Sequence, residues 1–177
     1  MTREVPDAPR KPSPDLRPLV VRTSGSASEA VYGLILALSV IAVTQRSGAP
    51  DAGLVAVDVL VTAIVFWVAH AYAQVLGSDV SRERRSTRAE IAQALREDWS
   101  LVEVVIPLVA ALALGAAEVI PDHAAIVAAS VIALAELASA AGYAAIKTGA
   151  SAGGAIVSAA AALVLGLVIV LLKVVVH

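Results

Sequence analysis

Apolar residues form five long runs along this chain, and polar residues are concentrated in the segments between them. The runs cover about residues 27–45, 53–76, 101–120, 124–146 and 154–176. A helix needs roughly 17–25 predominantly apolar residues to cross a hydrocarbon layer of about 30 Å, and each run reaches this length. Because the backbone has no water to bond with inside a bilayer, each run is expected to be a helix. The pattern therefore predicts an all-α, polytopic transmembrane helix bundle with five spans.

Composition supports the same class of protein. Hydrophobic residues make up 59% of the 177 positions and the mean hydropathy is +0.84, which leaves too little polar surface to cover a soluble globule. Cysteine is absent, so disulfide and thiolate chemistry are excluded for this sequence. We expect a multi-pass protein of the cell membrane, plasma or inner, with the Arg- and Ala-rich composition typical of small membrane proteins of high-GC bacteria.

The distribution of positive charge predicts the orientation, since Lys and Arg are retained on the cytoplasmic side of a membrane. With a cytoplasmic N-terminus, all but two of the 13 basic residues fall in cytoplasmic segments, the exceptions being Arg46 and Lys173. Most aromatic rings lie near the predicted cytoplasmic ends of the spans, where headgroups favour amphipathic side chains. These rings are Tyr32, Tyr72, Trp99 and Tyr143. Both signals give the same topology.

Two segments outside the runs have distinct character. Residues 1–25 hold five of the eight prolines among mixed charges, which predicts a disordered cytoplasmic tail, or alternatively a tail that binds a partner; residues 26–177 form the bundle. In the second segment, Thr87-x-x-Glu90 predicts a capping box that opens an interfacial helix over 87–99.

A short basic cluster precedes and opens this interfacial helix. We expect it to attract anionic lipid of the bilayer. Its members are Arg82, Arg84, Arg85 and Arg88. Acidic residues interleave with these arginines, so nucleic acid is not an expected partner.

Small residues repeat every four positions along the fifth run. They are Gly154, Ser158, Ala162 and Gly166. Such a stripe admits a closely packed neighbour, either the fourth span or a second copy in a homo-oligomer. Pro107 in the third run removes a backbone donor and is expected to kink that helix.

Ionisable residues within or at the ends of the spans are the candidates for function, because a charge near the bilayer centre is costly and usually faces a partner or a wet cavity. Glu136 lies mid-span with Tyr143 two turns further on, and His70 is close in predicted depth to Glu29 and Glu103. Together they suggest a proton or divalent-cation path that opens to the cytoplasm; which metal it would carry is not indicated. The alternative is structural: a hydrogen-bonded Glu136, with Glu29 and Glu103 favoured at helix N-termini by the helix dipole.

The order of elements, with a charged cytoplasmic helix between the second and third of five spans, resembles the vacuolar iron transporter family. Gly142-x-x-x-x-Lys147-x-Gly149, leading into a small-residue helix, is similar to that family's closing hairpin. The resemblance implies metal transport. The Asp-Gly pair, the internal Met residues and the Glu-rich cytoplasmic domain of that family are missing here.

A second resemblance covers under a third of the chain. Ser28-Glu29-x-Val31-Tyr32 with Phe66-Trp67-x-x-His70 is similar to the first two helices of the bacterial and lysosomal potassium-channel family that opens on a Phe-Ser-Asp motif. This chain lacks the Phe of that motif and has five predicted spans where that family has six per repeat.

Three classes of function follow. The first is a small ion or metal/proton-linked transport protein, and the second is a non-transporting accessory or assembly subunit of a membrane complex. The third, an intramembrane enzyme, is not expected, because the sequence has no serine nucleophile motif, zinc-spaced His pair or paired carboxylate signature. No cofactor is expected.

Overall fold

The computed structural model describes residues 23–44, 51–82 and 87–175. The described part of the chain is 89% helix and contains no strand, which confirms the predicted all-α class. Its elements are α1 Thr23–Thr44, α2 Ala52–Arg82, α3 Arg88–Glu97, α4 Ser100–Glu103, α5 Ile106–Ala116, α6 Asp122–Lys147 and α7 Ala152–Val175. Residues 1–22 of the predicted tail, together with Arg84 and Arg85, lie outside the described residues, and the side chain of Arg82 is not described.

Three helices are long and apolar enough to cross a membrane: Ala52–Val80 within α2, Asp122–Lys147 and Ala152–Leu171. A bent pair, Arg88–Glu103 with Ile106–Ala116, makes a fourth if it is counted as one span. The apolar part of α1, Ser28–Thr44, is shorter than these. The chain is therefore a helical membrane protein with three to four candidate spans among its described residues.

The third predicted span is interrupted, which corrects the expectation of one continuous helix over 101–120. The helix stops at Glu103, restarts at Ile106 with a bend of 49°, and ends at Ala116. Pro107 lies in the first turn of α5 and has no N–H to bond the carbonyl one turn earlier. The backbone compensates locally, because Val105 N–H donates to the Val102 carbonyl at 3.2 Å. The break therefore lies just before the proline that was expected to kink the helix.

The core lies where α1, α2, α5 and α6 meet, and close helix approach defines it. A Cβ added to Gly115 of α5 would stand 2.7 Å from the Cβ atoms of both Ala52 and Ala125, so three helices converge on that glycine. The largest side chains that are fully buried in this core come from all four helices. They include Leu34, Leu38, Val59, Leu108, Leu112, Ile126 and Leu137.

The helix α3 begins with the capping box predicted from the sequence. Thr87 Oγ1 accepts a hydrogen bond from Glu90 N–H at 3.4 Å, and Glu90 Oε2 accepts one from Thr87 N–H at 2.6 Å. The helix then packs on α2, because Trp67 Nε1 donates to the Leu95 carbonyl at 2.8 Å and the Trp67 and Trp99 rings meet edge to face at 5.1 Å. The charged helix is thus fixed against the second half of α2.

Helices α6 and α7 form an antiparallel hairpin through a tight connection. Gly149 takes a left-handed conformation, φ 86°, at the end of α6. Along α7, a Cβ on Gly166 would stand 2.6 Å from Leu134 and 3.1 Å from Leu137 of α6, while Ala162 packs against the core. A Cβ on Gly154, at the start of α7, would lie near only Ala150 and Ser151, which belong to the connection between α6 and α7. In this chain the far half of the small-residue stripe therefore packs within the bundle.

Candidate functional site

Three ionisable side chains from three segments meet at one end of the bundle. Glu29 of α1, His70 of α2 and Asp98, between α3 and α4, offer ligand atoms that all lie within 4.8 Å of one another. Two of these residues, Glu29 and His70, were predicted from the sequence as members of an ion path. Asp98 was not among the predicted site residues.

Close packing of α1 against α4 positions the two carboxylates. Gly33 lies one turn after Glu29, and a Cβ added there would stand 2.8 Å from the Leu101 carbonyl oxygen of α4. Asp98 precedes α4 and ends α3, where its N–H donates to the Ala94 carbonyl. Only a glycine at position 33 permits this approach of the two backbones, and the approach brings Glu29 and Asp98 to the same place.

Aromatic stacking holds the imidazole. The rings of Phe66 and His70, one turn apart on α2, are stacked, with their centroids 6.1 Å apart and an interplanar angle of 20°. Tyr32 of α1 in turn stacks on Phe66, with the ring centroids 5.5 Å apart and an interplanar angle of 9°. The three rings join α1 to α2 beside the carboxylates, so His70 has a restricted orientation before any ligand is bound.

The carboxyl group of Asp98 is buried and accepts hydrogen bonds from one side-chain amide, and both features affect its pKa. Its side chain is 2% exposed, and Gln74 Nε2 donates to its two carboxylate oxygens at 3.0 and 3.2 Å. Asp98 lies in the connection between α3 and α4, before the apolar part of the third span. Burial there raises the pKa of its carboxyl group above the usual value, and the nearby His70 and the Gln74 hydrogen bond offset only part of this effect.

One polar atom of the site has no partner. Glu29 Oε2 is buried and has no hydrogen-bond partner among the described residues. Buried polar groups are usually satisfied, so this atom indicates a place for a bound ion or water.

The donor set suits a borderline divalent cation. One imidazole nitrogen and two carboxylate oxygens are ligands used by zinc and by similar transition metals, at about 2.0–2.2 Å from the metal. Ligands around a tetrahedral ion at that distance lie about 3.4 Å apart. The observed separations, up to 4.8 Å, require the ligand atoms to move together by up to about 1.4 Å to reach this geometry. Gln74 would act as the outer partner that orients one of the ligands.

The remaining predicted path residues lie elsewhere. Glu103 is exposed in the first turn of α4, as its expected place near a helix N-terminus implies, and it is not part of the cluster. Glu29 lies in the second turn of α1, beyond the first turn to which the helix dipole mainly reaches, so the dipole does not explain it. Of the four residues expected to converge, Glu29, His70, Glu103 and Glu136, the structure brings Glu29 and His70 into one cluster.

The helix α6 carries the other two candidates. Glu136 is half-buried, and its Oε2 is buried without a hydrogen-bond partner in the described part of the chain. Tyr143 lies two turns further on, with the Lys147 Nζ 5.3 Å from the centre of its ring. Glu136 is about 16 Å along α6 from Lys147, the last residue of the helix, so it lies deep in the bundle.

A signal for Asp98 was present in the sequence but ambiguous. Asp98 follows Arg96 and Glu97 in a charged helix, where carboxylates are normally solvated, and the turn that buries it depends on how α3 meets α4. The spacing of His70 and Gln74 on α2, one turn apart, is the observation that could have suggested a polar partner.

Comparison of this chain with protein-family models, with curated proteins and with solved structures gives no match. The resemblances drawn from the sequence stay predictions, and the chemistry of the site is argued from its own residues.

Proposed function

We propose that this protein binds a divalent transition-metal cation through Glu29, His70 and Asp98, as the entry site of a small metal transport protein. The observation that carries the proposal is the convergence of one imidazole and two carboxylates, from three separate segments, within 4.8 Å. The partnerless Oε2 of Glu29 and the hydrogen-bonded, buried Asp98 support a site that a cation completes.

The proposal includes the topology drawn from the sequence. In it α1, α2, the α4–α5 pair, α6 and α7 form five spans in a plasma or inner membrane, and the N-terminus is cytoplasmic. The excess of Lys and Arg in the segments assigned to the cytoplasm supports this orientation. The cation site then faces the cytoplasm, and Glu136 is the acid further along a path through the bundle.

Cation binding is tested first, on the detergent-purified chain treated with a chelator. Isothermal titration calorimetry with zinc and with manganese chloride is expected to give one site in the wild type, with tighter zinc binding, as the usual affinity order of these metals requires. Asp98→Asn should weaken zinc binding about tenfold or more. The matched control is Glu97→Gln, which removes the adjacent, exposed carboxylate and should leave the affinity unchanged. No zinc binding by the wild type, or equal losses in both variants, would refute the proposed site.

Transport is tested separately, with proteoliposomes that enclose a zinc-sensitive dye. We expect zinc entry in the wild type, and its loss in Asp98→Asn and in Glu136→Gln. Binding without flux would refute transport while leaving the cation site in place, and it would favour an accessory subunit that senses or stores the metal.

A further inference from the structure

A pocket separate from the cation site lies between α2 and α3. Its volume is about 420 Å³, and it is lined by Trp67, Ala92, Leu95, Arg96 and Trp99. These two tryptophans are the only two in the sequence. The pocket thus joins a residue of an apolar, membrane-length stretch of α2 to the last turns of a charged helix.

Two tryptophan rings form the aromatic wall of this pocket. Trp67 Nε1 donates to the Leu95 carbonyl at 2.8 Å, and the Trp99 ring meets the Trp67 ring edge to face at 5.1 Å. The hydrogen bond orients the Trp67 ring, and the Trp99 ring leaves part of its surface open, since this residue is 46% exposed. Tryptophan rings offer a large apolar surface at little cost in conformational entropy.

One positive charge lies at the edge of this apolar wall. Arg96 is exposed in the last turn of α3, and the other polar side chains of that turn are occupied with each other, because Gln93 Nε2 donates to Glu97 Oε1 at 2.7 Å. The pocket is thus apolar on one side and cationic on the other. Tryptophan and arginine together are typical of the level of lipid headgroups.

We propose that this pocket binds one anionic phospholipid of the surrounding bilayer, with the phosphate at Arg96 and an acyl chain against Trp67 and Trp99. Charge complementarity selects an anionic headgroup, and the apolar stretch of α2 places the wall where acyl chains are the abundant ligand. Because Trp99 directly follows Asp98, the bound lipid would also brace the connection that carries one ligand of the proposed cation site. The lipid site itself does not depend on cation binding.

Tryptophan fluorescence reports on this pocket directly, since both tryptophans line it. The protein is reconstituted in phosphatidylcholine vesicles that contain a minor fraction of brominated phosphatidylglycerol or, in parallel, of brominated phosphatidylcholine. Bromine quenches an indole ring only at short range. We expect the anionic brominated lipid to quench with about fivefold higher apparent affinity than the neutral one, as one arginine near the membrane surface provides.

Three variants separate the pocket from general surface charge. Arg96→Gln should abolish the preference for phosphatidylglycerol, whereas the control Lys147→Gln, which removes an exposed positive charge that does not line the pocket, should retain it. Ala92→Phe keeps every charge and fills the pocket, so it should also abolish the preference. Equal quenching by both lipids in the wild type would overturn the proposal. So would an unchanged preference in Ala92→Phe, or equal losses in Arg96→Gln and Lys147→Gln.

Discussion

Replacing Gly33 by alanine tests the link between helix packing and the cation site. A Cβ at this position would stand 2.8 Å from the Leu101 carbonyl oxygen and 3.1 Å from Val104 Cγ2. Ordinary contact begins at 3.4 Å, so α1 and α4 must separate by about 0.6 Å, the difference between 3.4 and 2.8 Å. Overpacking of this kind costs about 1–3 kcal/mol of unfolding free energy.

The same displacement acts on the ligands. Glu29 lies one turn before Gly33 and Asp98 one turn before Leu101, so the separation of the helices spreads the two carboxylates. The ligand atoms already lie up to 4.8 Å apart and must move closer to hold an ion, and a further separation of about 0.6 Å adds to that movement. Gly33→Ala should therefore lower the apparent Tm in detergent by several degrees and weaken zinc binding about tenfold.

Gly77→Ala is the matched control, since a Cβ at position 77 would meet nothing within 4 Å. This variant gains helix propensity on α2 and should leave zinc affinity unchanged, with an equal or slightly higher Tm. Thermal unfolding and calorimetric zinc titration of both variants test whether the close approach of α1 and α4 positions the ligands. If Gly33→Ala behaves like Gly77→Ala in both assays, the close approach of α1 and α4 does not position the site.

Further expectations concern helix ends and the surroundings of Asp98. Glu118, at φ 57°, holds the left-handed position after α5, so Glu118→Gly should raise the unfolding free energy by up to about 1 kcal/mol in chemical denaturation. Gly149 holds the equivalent position after α6 at φ 86°, and Gly149→Ala should lower it by about 1 kcal/mol in the same assay. Gln74→Leu removes the hydrogen bonds to Asp98 and should weaken zinc binding about tenfold to a hundredfold by calorimetry, with the fold intact by circular dichroism. Burial raises the pKa of the Asp98 carboxyl group, so the folded protein binds the proton of this group more tightly than the unfolded chain does. This difference stabilises the folded state fully below about pH 4, and the stabilisation is lost as the pH rises through the raised pKa. In chelator, the unfolding free energy of the wild type minus that of Asp98→Asn should therefore fall from pH 4 toward neutrality, and a rising difference would contradict the assignment.

The features that sequence predicted well are those determined by local chemistry. Long apolar runs in a membrane protein form helices wherever they occur, so the all-α class of fold did not depend on tertiary contacts. The capping box of α3 needs only Thr87 and Glu90 at the right spacing, and Gly149 ends α6 because it adopts a left-handed conformation without steric cost.

The features that sequence missed depend on where the chain turns. Pro107 indicated a disturbed helix, but the restart at Ile106 divides the predicted span in two and determines which way α4 faces. With that orientation Glu103 is exposed, and Asp98, which looked like one more charge on a solvated helix, is buried beside His70. The order of charged residues along a chain does not reveal which of them a helix break turns inward.

The unequal lengths of the first two helices have a consequence for the host membrane. The helix α1, Thr23–Thr44, is about 33 Å long, whereas the neighbouring α2, Ala52–Arg82, is about 46 Å long. A hydrocarbon layer of about 30 Å is close to the length of α1 but much shorter than α2, so under the proposed topology α2 tilts or extends beyond the bilayer. The thickness of the host bilayer, set by acyl-chain length, therefore acts on this protein mainly through α2, independently of headgroup charge.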